Sequence, residues 1–182
     1  MVDICFTQAD FFQRADTLWQ QLERGLTVEA AGSPSPLREI CAAGQYTYLM
    51  ATADQVFTHD VMLAFLSRLR RWAKERLDAR HASTPQIHIY RDGCARALSP
   101  DAVPTRWHYL YSLTRGEPAS IRLLEPNGQR RWFGIVLSRI ANLPLGFNQL
   151  LVHETCQAYE LNAPTRARKP LEGAILLHGY LW

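Results

Sequence analysis

The chain has 182 residues, of which 47% are hydrophobic and 20% charged, and its formal net charge at pH 7 is +3. This composition is that of an ordinary folded domain and excludes a largely disordered chain, because 5 Trp, 7 Tyr and 7 Phe supply ample surface to bury. The charge is too small to indicate a nucleic-acid-binding domain, which more often carries a strong basic excess.

The sequence contains no signal for export or membrane insertion. No basic stretch followed by a long apolar run opens the chain, and no apolar run approaches the roughly 18 residues of a spanning helix. Its four cysteines form no Cys/His cluster with zinc spacing; they are Cys5, Cys41, Cys94 and Cys156. We therefore expect a cytoplasmic protein with reduced thiols and no membrane partner.

The first third of the chain predicts a helix followed by strands. Thr7 and Asp10 are spaced like a helix-capping box, and Gly25 is expected to end the helix. Apolar residues recur between them at helical spacing, at Phe11, Ala15, Leu18 and Leu22. Aromatic and β-branched residues from 46 to 57 predict one or two strands.

The clearest helix is predicted from Thr58 to Arg80, with Thr58 as its cap and Asp60 in its first turn. Its cations are Arg68, Arg70, Arg71, Lys74, Arg76 and Arg80. Because Glu75 and Asp78 interrupt them, we interpret these cations as a solvated face, with a surface for an anionic partner as the alternative.

The chain after Pro85 predicts short strands separated by turn signals. They are expected at 86–90, 106–113, 120–125, 130–137, 149–153, 158–161 and 174–182, with a hairpin at Asn127-Gly128. We therefore predict a single α+β domain, 1–182. Its helical N-terminal part (1–85) packs on one sheet of a β-barrel core (86–182).

From about Ile87 to Trp182 the sequence resembles the 2-oxoglutarate/Fe(II)-dependent oxygenases, in particular their prolyl-4-hydroxylase-like branch. The resemblance lies in the order of five segments. These are Ile89-Tyr90-Arg91-Asp92-Gly93, Ser99-Pro100-Asp101, the strand 106–113, the segment 147–153 and the closing segment 173–182. It implies a double-stranded β-helix, which is a jelly-roll or cupin-like barrel.

The resemblance also implies a metal site and its cofactors, Fe(II) and 2-oxoglutarate. In this family two His and one carboxylate hold Fe(II) and leave positions for 2-oxoglutarate and oxygen. Asp101 matches the carboxylate and His153 the distal His. Ser99 stands in place of the other His, and His108, on the following strand, is the candidate replacement ligand.

The cosubstrate site departs from the family in a similar way. Ala174 stands near the position of the Arg that would pair with the cosubstrate carboxylate. Tyr90, Arg166 and Arg168 are the candidate cofactor-binding residues. The alternative for the two arginines is a solvated basic turn.

Alternation along the strand 106–113 places Trp107, Tyr109 and Tyr111 on one face and His108 on the other. The three rings are candidate substrate-binding residues, since aromatic platforms stack bases and sugars. The alternative is that they pack in the core.

The resemblance implies hydroxylation, or a related oxidation, of a small metabolite or an amino-acid side chain. Because Ser99 and Ala174 replace a ligand and a cation, two alternatives stay open. One is a catalytically inactive β-helix that serves as a binding or interaction module without metal. The other is a cupin-like enzyme of another reaction type, since one fold hosts many functions. We expect no nucleic-acid partner, and the sequence leaves oligomer formation open.

Overall fold

The computed structural model of the protein describes residues 4–7, 11–27, 36–42, 46–91, 95–98, 106–124, 143–155, 158–163 and 169–182. Within these ranges the chain forms two α-helices, α1 (Ala15–Thr27) and α2 (His59–Leu77). The strands are β1 (Ile4–Thr7), β2 (Arg38–Ala42), β3 (Tyr46–Thr52), β4 (Gln86–Tyr90), β5 (Ala95–Leu98), β6 (Trp107–Ser112), β7 (Ala119–Leu124), β8 (Leu143–Leu145), β9 (Gln149–Glu154), β10 (Ala158–Asn162) and β11 (Ala174–Leu181).

The strands form two antiparallel sheets. Seven strands lie in the order β1-β9-β6-β11-β4-β3-β2, and four in the order β5-β10-β7-β8. From β4 onward the chain repeatedly crosses from one sheet to the other, so strands that are distant in sequence become neighbours. The fold is α+β, as predicted.

The N-terminal part (1–85) was described as helical in the predicted division, but it contains strands as well as helices. It supplies both helices and also three strands of the seven-stranded sheet, with β1 and β2 at its two edges. The chain around Thr7 pairs with Leu150 on β9 instead of capping a helix, so α1 begins at Ala15. Gly25 lies inside α1, which continues to Thr27.

Helix α2 follows its prediction more closely. Thr58 precedes the first helical residue in extended conformation (φ −66°, ψ 151°), and Asp60 lies in the first turn, where the helix dipole favours an acid. The helix ends where Asp78 adopts a left-handed conformation (φ 53°) and its N–H bonds the carbonyl of Ala73. Among the described residues, no helix is long and apolar enough to cross a membrane.

Most predicted strands in the second half are present with boundaries shifted by one or two residues. The predicted strand 130–137 and the Asn127-Gly128 hairpin lie outside the described residues. Alternation did not reveal β5 or β8, which are only four and three residues long.

Alternation sorts the side chains of the seven-stranded sheet into two cores. The outward face packs against α1 and α2, as predicted, with Leu18, Phe65 and Leu69 fully buried there. The inward face packs against the four-stranded sheet, where Leu110 and Leu176 meet Ile121. The second core fills only part of that inward face, and the remainder carries the polar residues described next.

Candidate functional site

Four histidines project from the inward face of four neighbouring strands: His153 on β9, His108 on β6, His178 on β11 and His88 on β4. All four are buried, with between 1% and 9% of their surface exposed. His108 and His153 are direct cross-strand partners, and His88 lies opposite Leu176, one inward position from His178. We call these four residues the histidine cluster.

His108 and His153 form a hydrogen-bonded pair. The Nδ1 of His153 lies 2.8 Å from the backbone carbonyl of Glu154, which only accepts, so this nitrogen carries the proton. Its Nε2 then accepts from the Nδ1–H of His108 across 3.2 Å. Burial lowers the pKa of His153 to about 4, against the raising effect of the bond to Glu154, so the ring is neutral at pH 7.

His88, Tyr90 and His178 form a second hydrogen-bonded group. His88 Nε2 donates to the side-chain oxygen of Gln86 across 3.3 Å, so its Nδ1 accepts from the hydroxyl of Tyr90 at 2.9 Å. The Tyr90 oxygen in turn accepts from Nε2 of His178 at 3.5 Å. The hydrogen bonds of this group are therefore all donated in the same sense, from His178 to Tyr90, from Tyr90 to His88, and from His88 to Gln86 at the solvent edge.

Ring contacts join the two groups. His88 and His178 stack with centroids 4.1 Å apart, and the ring of His108 lies 5.5 Å from that of His178. Two tyrosines contact the array: Tyr180 stacks on His108 at 5.2 Å, and Tyr48 lies 4.9 Å from His88. The inward face therefore carries a continuous layer of imidazole and phenol rings.

The structure brings together two of the three predicted metal ligands, His108 and His153. The third, Asp101, lies outside the described residues, as do Ser99, Arg166 and Arg168. Of the predicted cofactor-binding residues, Tyr90 bonds two members of the histidine cluster, His88 and His178, and is directly opposite Ala174 in the register of β4 and β11. His178 and Tyr180 lie on the same inward face of β11 as Ala174, because every second residue of a strand points to the same side.

The predicted substrate platform lies on the other face. Trp107, Tyr109 and Tyr111 are at most 3% exposed and pack in the core shared with the helices. The hydroxyl of Tyr109 donates to the carbonyl of Ser83, and that of Tyr111 to the side-chain oxygen of Asn148. These rings are packing residues and offer no exposed surface for a ligand to stack on, which corrects the platform interpretation.

Sequence reasoning did not group His88 and His178 with His108 and His153. Strand parity was a usable signal, because His88 and His178 each alternate with apolar residues of the outward face. What the sequence did not contain was the strand order, which places β11 between β4 and β6.

No family model matches the sequence, and no curated protein matches it by sequence similarity. Solved structures match it along its whole length. A prolyl-4-hydroxylase from Pseudomonas putida is 14% identical with a TM-score of 0.65, covering 100% of this chain and 92% of that one. A viral collagen prolyl hydroxylase from Paramecium Bursaria Chlorella virus-1 is 10% identical with a TM-score of 0.55, covering 98% and 94%.

The chain has the fold of the 2-oxoglutarate/Fe(II) oxygenases. The structural similarity is not limited to prolyl hydroxylases, because the epimerase SnoN from nogalamycin biosynthesis also matches. Its structure with Fe3+, α-ketoglutarate and nogalamycin RO is 10% identical with a TM-score of 0.62, covering 98% of this chain and 78% of that one. At such identities the similarity establishes the fold and leaves the activity to be argued from the site.

In the described part of the chain, the side chains are not arranged as an iron site. They contain no group of three His, Cys, Asp or Glu side chains arranged to hold a metal ion. Both ring nitrogens of His153 are engaged, one by the carbonyl of Glu154 and the other by His108. A metal bound by both imidazoles would have to break their mutual hydrogen bond.

Proposed function

We propose that this protein is a divergent oxygenase-like protein of the 2-oxoglutarate/Fe(II) type. It would bind a small metabolite or an amino-acid side chain between its two sheets and hydroxylate or otherwise oxidise it. The similarity to solved oxygenases over 98–100% of the chain carries this proposal. In the same proposal, the two sheets form the jelly-roll barrel of a double-stranded β-helix.

The proposal assigns the metal to His153, His108 and Asp101, and the cosubstrate carboxylate to Tyr90 with Arg166 or Arg168. Bound Fe(II) and 2-oxoglutarate would supply the oxygen activation. This assignment requires the His108–His153 hydrogen bond to open when the metal enters.

The chain's own contribution is positioning and the exclusion of water. Before a metal enters, the hydrogen bond between His108 and His153 holds the two rings beside each other on neighbouring strands. The four histidines are buried, so a ligand bound against them would be shielded from water, and its electrostatic interactions would be stronger.

Anaerobic titration tests the proposal. Metal-free protein is mixed with Fe(II) and 2-oxoglutarate, and the visible charge-transfer band of the iron–cosubstrate complex is recorded. We expect a saturable band that His108→Leu abolishes and His81→Gln retains, because His81 is exposed and its ring stacks on Trp182. Absence of the band in the wild-type protein, together with no thermal shift from Fe(II), would refute the iron-dependent activity.

A second candidate function is a metal-free binding module with the same fold. The hydrogen bond between His108 and His153 favours it, since it satisfies the nitrogens that a metal would need. The same titration separates the candidates. A module binds its ligand without Fe(II), and its His153→Gln variant shows unchanged, negligible metal affinity.

A further inference from the structure

A cavity of about 470 Å³ lies on the outward side of the seven-stranded sheet, between the start of α1, the middle of α2 and the residues that precede β9. This volume is in the range of small-molecule sites. The cavity wall is apolar at Phe12 and Phe147 and polar at Asp16, Arg68 and Asn148. Phe12 belongs to the core that the sheet shares with the helices, so this cavity is separate from the histidine cluster on the inward face.

Asn148 presents a side-chain amide nitrogen to this cavity. The residue is only 8% exposed, and its Oδ1 accepts two hydrogen bonds, from the backbone N–H of Phe12 at 2.9 Å and from the hydroxyl of Tyr111 at 2.8 Å. The N–H of Phe12 can only donate, so the oxygen is the atom on that side. Within the described part of the chain, the nitrogen Nδ2 has no hydrogen-bond acceptor. A buried donor without an acceptor is costly, and a ligand that accepts from Nδ2 removes this cost.

Arg68 adds a positively charged donor group to the same cavity. Its Nε–H donates to the carbonyl of Phe11 across 3.2 Å, which orients the guanidinium. The terminal nitrogens of Arg68 have no acceptor among the residues that the structure describes. Their planar fork matches the two oxygens of a carboxylate.

The charges around the cavity favour an anion. Asp16 forms an ion pair with Arg115, whose guanidinium lies over the ring of Phe147, 4.7 Å from its centroid. Arg68 and Arg115 therefore stand against the one carboxylate of Asp16, which leaves one positive charge. Helix α1 begins at Ala15, also in the cavity wall, and adds the positive end of its dipole.

We propose that this cavity binds a small carboxylate with an apolar body, whose oxygens accept hydrogen bonds from the guanidinium of Arg68 and the side-chain amide of Asn148. The apolar body lies against Phe12 and Phe147. The site is on the opposite side of the sheet from the proposed oxygenase centre, and its ligand binds without iron. The inference therefore does not rest on the proposed function.

The test uses four probes that share a phenyl ring: benzoate, benzamide, benzylammonium and phenyl phosphate. Each is titrated into the full-length, nitrogen-15-labelled protein and followed by NMR. We expect saturable binding of benzoate, and at least about tenfold weaker binding of benzamide, because hydrogen bonds to a charged group are the stronger kind. Equal binding of benzoate and benzamide, or tighter binding of benzylammonium or phenyl phosphate than of benzoate, would overturn the proposal.

Asn148→Asp tests the amide with little change of shape. Asn148 has a left-handed backbone (φ 59°), which Asp also tolerates, and Asp keeps the oxygen that Phe12 and Tyr111 need. The substitution replaces the two amide donors with a charged acceptor, so benzoate binding should weaken by roughly 10- to 100-fold. In the wild-type protein, the side-chain amide signals of Asn148, assigned by their absence from this variant, should shift as benzoate binds. Signals that stay in place at saturation would contradict the assignment.

Arg68→Gln tests the guanidinium and decides the matter if Asn148→Asp does not fold, because Arg68 is exposed. We expect it to weaken benzoate binding by at least about tenfold. Arg70→Gln is the matched control, since Arg70 is an exposed arginine of the same helix outside the cavity wall. Equal effects of the two substitutions would mean that benzoate responds only to overall charge, which would refute the site.

His108→Leu separates this cavity from the space between the sheets. The variant should bind benzoate with wild-type affinity, because His108 lies on the inward face. Loss of benzoate binding in His108→Leu, with binding retained in Arg68→Gln, would place the carboxylate between the sheets and overturn the proposal.

Discussion

The two faces of the seven-stranded sheet carry different chemistry on the same strands. On β6, Tyr109 points toward the helices and ties its hydroxyl to a backbone carbonyl, whereas His108, one residue earlier, points inward and bonds another imidazole. On the outward face, the hydroxyls of Tyr109 and Tyr111 bond Ser83 and Asn148 and so tie the sheet to neighbouring segments of the chain. On the inward face, His108 bonds His153 directly, and His178 is linked to His88 through the hydroxyl of Tyr90. This difference is why the proposed function is assigned to the inward face.

The largest expected effect lies on the outward face. Phe65 is fully buried and packs against Phe12 and Tyr111 at centroid distances of 5.6 and 5.0 Å. Phe65→Ala should lower the free energy of unfolding by about 3–5 kcal/mol in urea titrations. Leu63→Ala, on the exposed side of the same helix, should change it by less than about 0.5 kcal/mol. Equal costs would mean that α2 does not pack as described.

His153 gives the next effect and belongs to the inward face. Its folded-state pKa of about 4 lies below the ordinary 6.5, so as pH falls through this window the unfolded chain takes up a proton that the folded chain does not. Stability is therefore lost as pH falls from 6.5 to about 4, by roughly 3 kcal/mol. Urea titrations at several pH values should show a flatter profile in His153→Gln than in the wild type.

The exposed His81 is the control for this pH dependence. His81→Gln should keep the wild-type profile between pH 4 and 6.5. A profile that flattens equally in both variants would show that burial of His153 does not cause the slope.

A close approach between β6 and β11 gives a third prediction. A Cβ added at Gly179 would lie 2.3 Å from the ring of Tyr109, so this position needs glycine. Gly179→Ala should cost about 1–3 kcal/mol in urea titrations, because the buried ring must shift. Gly116→Ala is the matched control, since the nearest atom to its added Cβ is 4.0 Å away. Equal effects of the two substitutions would contradict the described register.

The smallest structural effect concerns a single hydroxyl of the outward face. Tyr111→Phe removes the bond to Asn148, whose side-chain oxygen still accepts from the N–H of Phe12. The expected loss is about 1 kcal/mol in urea titrations. Unchanged stability of Tyr111→Phe would mean that this hydroxyl does not contribute through its bond to Asn148.

The sequence predicted elements whose pattern is local. Helix α2 and strand β4 follow from apolar periodicity, and alternation on β6 correctly separated Tyr109 from His108. The start of α1 was wrong because pairing with β9 draws the chain around Thr7 into an edge strand. Local spacing carries no information about that long-range pairing.

The candidate site could be predicted only in part, again because local spacing does not show which strands become neighbours. His108 and His153 were grouped through the family resemblance, and the structure places them in contact. His88 and His178 join them only because β11 lies between β4 and β6, an order set by crossings between the sheets. Their register then decides which side chains share a face.

The direction of the hydrogen bonds in the histidine cluster is the central claim, and nitrogen NMR of the ring atoms tests it most directly. Spectra of the metal-free protein at pH 7, assigned with single-histidine variants, report which ring nitrogen carries the proton. The account predicts Nδ1–H for His108 and His153 and Nε2–H for His88 and His178. A proton on Nε2 of His108 or on Nδ1 of His178 would contradict it.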